Sequence, residues 1–158
     1  MAVILREQVA GQIATDHVVS TNPAVMSNGL AIFNVVGDVQ ILSLVSECYT
    51  SNNATASTLQ YSFTSSNTTT ATFSGATSTL ASLTAGYAVI LAAATALTTA
   101  PTISSNNAGV LLNTNPRGVR LPTGTIKLVI GVGSTTGTWK HYIRWEPLEQ
   151  NAYITAAF

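Results

Sequence analysis

Leu59-Gln60-Tyr61-Ser62-Phe63-Thr64 alternates apolar and polar side chains without interruption. Successive side chains on a strand point to opposite faces, so this stretch reads as a β-strand with one buried and one wet face. The same period recurs downstream. Ile126, Leu128, Ile130 and Val132 make one apolar face, with Lys127, Val129 and Gly131 between them, and Trp139, His141, Ile143 and Trp145 alternate with Lys140, Tyr142 and Arg144. Leu30 to Val36 and Val39 to Thr50 are apolar on both faces, which marks central strands, and Gly37-Asp38 between them tolerates a turn or a bulge. Thr69 to Ser74, Gly86 to Ala92 and Gly109 to Thr114 are further strand candidates between Asn-, Gly- and Pro-containing turns. Only Ser78 to Ala85 invites a short helix, with Leu80 and Leu83 on one side and Gly86 to end it.

The count comes to about eight strands without any strand–helix alternation, which predicts an all-β, single-domain, jelly-roll-like β-sandwich of antiparallel strands. Residues 1–28 precede the first clear strand and read as an extended N-terminal arm or an edge strand, residues 29–149 as the sandwich, and residues 150–158 as a C-terminal tail. Both ends are apolar. Val3, Ile4, Leu5, Val9 and Ile13 in the arm, and Tyr153, Ile154 and Phe158 in the tail, are too apolar to be left in water, and are expected to pack on the chain's own domain or on a neighbouring subunit.

Charged residues are 8% of the 158-residue chain and cancel to zero, against roughly a quarter in an average soluble domain. No Asp, Glu, Lys or Arg occurs between Glu47 and Arg117. A surface with so little charge has little repulsion to keep copies apart, so association is expected. The same balance excludes the basic excess of a nucleic-acid binder. One cysteine, Cys48, rules out an intramolecular disulfide framework. Charge at Arg6 and Glu7 interrupts the apolar N-terminus, and no later run reaches the roughly 18 apolar residues of a membrane span. A soluble chain without a signal peptide is the expectation. Asn53-Ala54-Thr55 and Asn67-Thr68-Thr69 match a glycosylation sequon, as chance allows in a chain this rich in Asn and Thr.

Candidate chemistry is sparse. Glu146 and Glu149 form a close carboxylate pair, but Pro147 argues against a helix that would align them, so both read as solvated turn acids. Cys48 and His141 lie in predicted strands that a thiolate dyad would have to bring together; a lone Cys is more often a core hydrophobe, and His141 shares its face with Trp139 and Ile143. His17 beside Asp16 lies in the arm, far from the other histidine, so no metal site and no cofactor are expected. Gly131-Val132-Gly133-Ser134-Thr135-Thr136-Gly137 has the look of a phosphate loop but runs into a strand, not a helix, and reads as a hairpin loop. Trp139, Tyr142, Trp145 and Tyr153 would stack on sugars if exposed, yet alternation puts both tryptophans on the core face.

The run Leu30-Ala31-Ile32-Phe33-Asn34-Val35-Val36-Gly37-Asp38-Val39-Gln40-Ile41-Leu42-Ser43-Leu44-Val45-Ser46-Glu47-Cys48-Tyr49-Thr50 resembles the opening strands of small jelly-roll virion proteins of tailed bacteriophages. Leu121-Pro122-Thr123-Gly124-Thr125-Ile126 and Gly137-Thr138-Trp139-Lys140-His141-Tyr142-Ile143-Arg144-Trp145-Glu146-Pro147-Leu148 resemble their closing hairpin. The resemblance covers well under half of the chain and leaves Asn52 to Asn115 unmatched. It implies a capsid decoration, or cement, protein: non-catalytic, located on the outer surface of the virion, with the major capsid protein and further copies of itself as partners, in a trimer in preference to a dimer. Charge balance and hydropathy leave no nucleic acid and no membrane as expected partner, and the resemblance makes the apolar residues named at both ends the expected capsid or intersubunit contacts. A fibre or spike head that recognises host surface glycans is the alternative, and a hydrolytic enzyme the third class.

Overall fold

The computed structural model describes residues 17–67, 69–92, 102–103, 119–131 and 135–158. Among them the strands are β1 (His17–Ser20), β2 (Ala24–Val25), β3 (Ala31–Val36), β4 (Val39–Cys48), β5 (Thr58–Ser65), β6 (Thr70–Thr72), β7 (Ala88–Ala92), β8 (Thr102–Ile103), β9 (Val119–Leu121), β10 (Gly124–Gly131), β11 (Thr138–Pro147) and β12 (Tyr153–Ala156). They form two antiparallel sheets. The larger runs β1-β11-β4-β7-β8, with β2 also on β11 and β9 on β4; the smaller runs β12-β3-β10-β5-β6.

The sandwich is all-β, as the alternation predicts. Leu59, Tyr61 and Phe63 of β5 and Ile126 and Leu128 of β10 are buried on the inner face of the smaller sheet. Leu44 of β4 and Trp139, Ile143 and Trp145 of β11 are buried on the inner face of the larger. The double apolarity of β4 has a local cause. Its register against β11 shifts at Arg144/Trp145, so Ile41 pairs with Trp145 and Leu44 with Ile143. The extra residue resets the phase and lets both face the core across Leu42 and Ser43.

Two expectations need correction. The first concerns Gly131 to Gly137, which does not close a hairpin: β10 pairs with β3 and β5, whereas β11 pairs with β1, β2 and β4 in the other sheet. The chain crosses between sheets there, as it does at Gly37-Asp38 between β3 and β4. Two successive strands joined by a short loop have the same periodicity whether they pair or cross, so alternation does not distinguish them.

The second concerns Ser78 to Ala85, which forms turns and no helix. Ser82 has φ 56°, which breaks a right-handed helix. Its backbone bonds outward instead: Leu80 N donates to Ser57 O at 2.8 Å and Asn52 N to Leu83 O at 2.8 Å. Both described ends of the chain pair into the sheets. Residues 17–28 lie along the sandwich, with β1 and β2 on β11, and the tail supplies β12 as the edge strand on β3. The strand candidate Gly109 to Thr114 lies outside the described residues.

The opposite edge of the smaller sheet is finished by side chains. Beyond the short β6, Ser74 Oγ and Thr77 Oγ1 each accept a hydrogen bond, from Tyr61 N and Leu59 N respectively, both at 2.9 Å. Hydroxyls there satisfy amides that an open edge would expose.

Candidate functional site

Ser46 on β4 and His141 on β11 are directly opposite in the larger sheet. Their side chains meet, Ser46 Oγ lying 2.7 Å from His141 Nδ1. Ser46 Oγ also lies 2.7 Å from the hydroxyl of Tyr61, which comes from the other sheet. All three residues have zero relative exposure. Thr21 holds the histidine's backbone from the far side, with Thr21 N donating to His141 O at 2.9 Å and His141 N donating to Thr21 Oγ1 at 3.1 Å. Burial pushes the His141 imidazole down to about 3 and the Tyr61 phenol well above its ordinary range. A serine next to a histidine is the arrangement of an activated nucleophile, but a hydroxyl sealed between two sheets cannot meet a substrate. The cluster acts as a brace across the sandwich. Its sequence signal is a serine at an inward position of an otherwise apolar β4 face.

Cys48 and His141 lie on neighbouring strands but do not form a dyad. Cys48 sits opposite Trp139, and its thiol donates to the carbonyl oxygens of Thr50 at 3.2 Å and Leu83 at 3.6 Å. Burial raises the thiol's pKa, which disfavours the thiolate. Glu146 lies on β11 opposite Gln40, while Glu149 Oε1 accepts from Asp38 N at 2.8 Å and so pins the β3–β4 crossing. The two acids serve different places. Asp38 also pairs with Arg120 on the surface. His17 stacks on Trp145 with ring centroids 4.7 Å apart. Among the described residues no group of three or more His, Cys, Asp and Glu is placed to hold a metal ion. In the glycine-rich loop, Thr136 N and Gly137 N both donate to Asn52 Oδ1, at 3.1 and 3.3 Å. Those amides are committed to the fold.

The residues expected to make contacts are placed differently from one another. Ile154 is buried opposite Val35 and belongs to this chain's own core. Phe158 is half-buried against that core, and its carbonyl accepts from Asn22 N at 3.4 Å. Tyr153 is 48% exposed, paired across the strands with Val36, which is 37% exposed. Val3, Ile4, Leu5, Val9 and Ile13 lie outside the described residues.

Tyr153 and Val36 open onto a surface that the sequence did not announce. Register aligns Thr155, Asn34, Thr125, Thr64 and Thr70 in one row across β12, β3, β10, β5 and β6. Thr64 and Thr70 share a hydrogen bond of 2.9 Å between their hydroxyls. The row lies on the outer face of the smaller sheet, since Val35, Ile126 and Phe63 beside it point into the core. Among the described strand residues of this face, the only charged one is Lys127. This face is the candidate contact surface.

No protein-family model matches the chain, and no curated protein matches it. Among solved structures, a chain in the structure of infectious bursal disease virus, Gx strain, is similar over 88% of this chain, at 10% sequence identity and a TM-score of 0.28. This chain spans 38% of that chain's length.

Proposed function

We propose that the chain is a structural virion protein that decorates the outer surface of a capsid and braces it, bound to the major capsid protein and to further copies of itself, as a trimer in preference to a dimer. The observation that carries the reading is the outer face of the smaller sheet. Apart from Lys127, whose ammonium needs an acidic partner or a path to water, its side chains are uncharged and can be covered by another protein without burying an unpaired charge, which costs several kcal/mol. Tyr153 beside Val36 supplies the aromatic anchor that stable contacts favour. The chain's lack of charge and the resemblance of β3, β4 and β11 to small jelly-roll virion proteins support the same role, which needs no catalysis. The fibre-head alternative retains Tyr49 and Tyr153 as exposed aromatic surfaces, with both tryptophans in the core.

Reconstituting the purified protein onto undecorated shells tests this. Asn34→Glu places a charge within the exposed row, next to its central Thr125, and Tyr153→Ala removes the anchor. Each is expected to weaken binding by at least about 100-fold, about 2.7 kcal/mol, with a thermal midpoint within a few degrees of wild type. Deleting residues 2–16, which leaves β1 intact, is expected to lower occupancy in the same way. Undiminished binding by all three variants, or absence of the protein from any particle, refutes the proposal. Copy number separates the readings, because cement approaches the count of the major capsid protein and a fibre does not.

A further inference from the structure

We infer that the Tyr61–Ser46–His141 chain is an acid-operated latch, which holds the two sheets together while the imidazole is neutral and releases them when it takes up a proton. The inference does not depend on the capsid reading. It begins with hydrogen-bond direction. If Tyr61 donates to Ser46 Oγ and Ser46 donates to His141 Nδ1, both hydroxyl protons are used and Nδ1 is the acceptor. The reverse direction leaves the Tyr61 proton without a role. The neutral tautomer therefore carries its proton on Nε2, an atom sealed in the core with no hydrogen-bond partner among the described residues.

Protonation turns Nδ1 from acceptor to donor. The proton comes from solvent and no other bond forms or breaks, but the polarity of the chain must reverse. Ser46 then donates to the Tyr61 oxygen, and the phenol proton loses its acceptor. Among the described residues the new positive charge also lacks a counter-ion. On the inner face Ser46 is flanked by Leu44 and Cys48, Tyr61 by Leu59 and Phe63, and His141 by Trp139 and Ile143; Thr21 packs from the β1 side and Val89 from β7. Among the described residues the titratable groups there are Cys48 and Tyr61, both held neutral by burial. Glu47 and Lys140 occupy the neighbouring positions of β4 and β11, and alternation turns them to the outer face.

The sign follows from linkage. Burial lowers the folded imidazole to about 3 from its ordinary 6.5, so below about pH 6.5 the opened chain binds the proton and the closed one does not. The contribution is complete above that pH and is lost as pH falls towards 3, at roughly tenfold in the folding equilibrium per pH unit. With only six Asp and Glu in the whole chain, the window from pH 6.5 to 5 lies above the range in which most carboxylates titrate.

Urea unfolding of the full chain at pH 7, 6.5, 5.5 and 5 tests the latch. The folding constant of wild type is expected to fall by about 15-fold between pH 6.5 and 5, and that of His141→Gln by less than about threefold. In NMR spectra of folded wild type, the His141 ring protons are expected to stay unshifted from pH 7 to 4.5. A flat wild-type profile, a slope that survives in His141→Gln, or a folded His141 ring that titrates near 6.5 overturns the inference. The ring titration decides the matter if the variant does not fold.

Discussion

Asn52→Leu is expected to destabilise the protein by about 4 kcal/mol and to lower its thermal midpoint by about 8–16 °C. Asn52 is 8% exposed and joins three loops at one end of the sandwich. Its Nδ2 donates to Leu80 O at 2.9 Å, its Oδ1 accepts from Thr136 N and Gly137 N, and its own N donates to Leu83 O. Leucine keeps the volume and the backbone bond but removes the other three. The amide of Gly137 would then be buried without a partner, at about 1–3 kcal/mol, while the Leu80 carbonyl, left with Leu83 N at 3.4 Å, and the Thr136 amide each lose a bond worth about 0.5–1.5 kcal/mol. Local collapse offers no escape at Gly137, where even a Cβ would lie 2.4 Å from Thr50 O. Asn52→Asp should fall between, because it keeps the acceptor for the two amides but sets a carboxylate oxygen against Leu80 O. Urea titration with the same m-value for all three proteins checks this. A loss below about 1 kcal/mol for Asn52→Leu would mean that water replaces these bonds and that the loops are not held by Asn52.

Asn52 also shows what a linear reading misses. Period two in Leu59 to Thr64 and Trp139 to Trp145 was legible because it depends on one strand and one core. Which strands pair was not legible, because β10 and β11 would look alike as a hairpin or as a crossing. Leu80 and Leu83 fit a helical spacing, yet their backbone groups bond to Ser57, Asn52 and each other around a left-handed Ser82. Tertiary partners decided that segment. The site followed the same rule. His141 was legible as a core residue from its face, but its link to Ser46 and Tyr61 joins positions 15 and 95 residues apart. The row from Thr155 to Thr70 exists only through the register of five strands. Ile154 was legible as apolar and in need of cover, and β12 pairing supplies that cover from within the chain.

Gly37→Ala and Gly29→Ala together are expected to separate backbone strain from crowding. Both glycines have positive φ, 75° and 79°, so a Cβ at either position carries the left-handed penalty of roughly 1–2 kcal/mol. At Gly29 the new Cβ meets nothing within 4 Å, and the loss should stop there. At Gly37 it lies 2.6 Å from Glu149 Oε1, 2.9 Å from Ala152 Cβ and 3.0 Å from Ala152 Cα. Glu149 can swing away only by giving up its bond to Asp38 N, and Ala152 is backbone that leads directly into β12. Overpacking of this kind adds roughly 1–3 kcal/mol, so Gly37→Ala should cost about 3 kcal/mol in total and exceed Gly29→Ala by at least about 1.5 kcal/mol. Equal losses in urea titrations would show that the corner yields freely. The displaced segment carries Tyr153 and Thr155, the first members of the proposed contact face. Gly37→Ala should therefore also weaken shell binding at temperatures where it remains folded, whereas Gly29→Ala, on the link between β2 and β3, should bind as wild type.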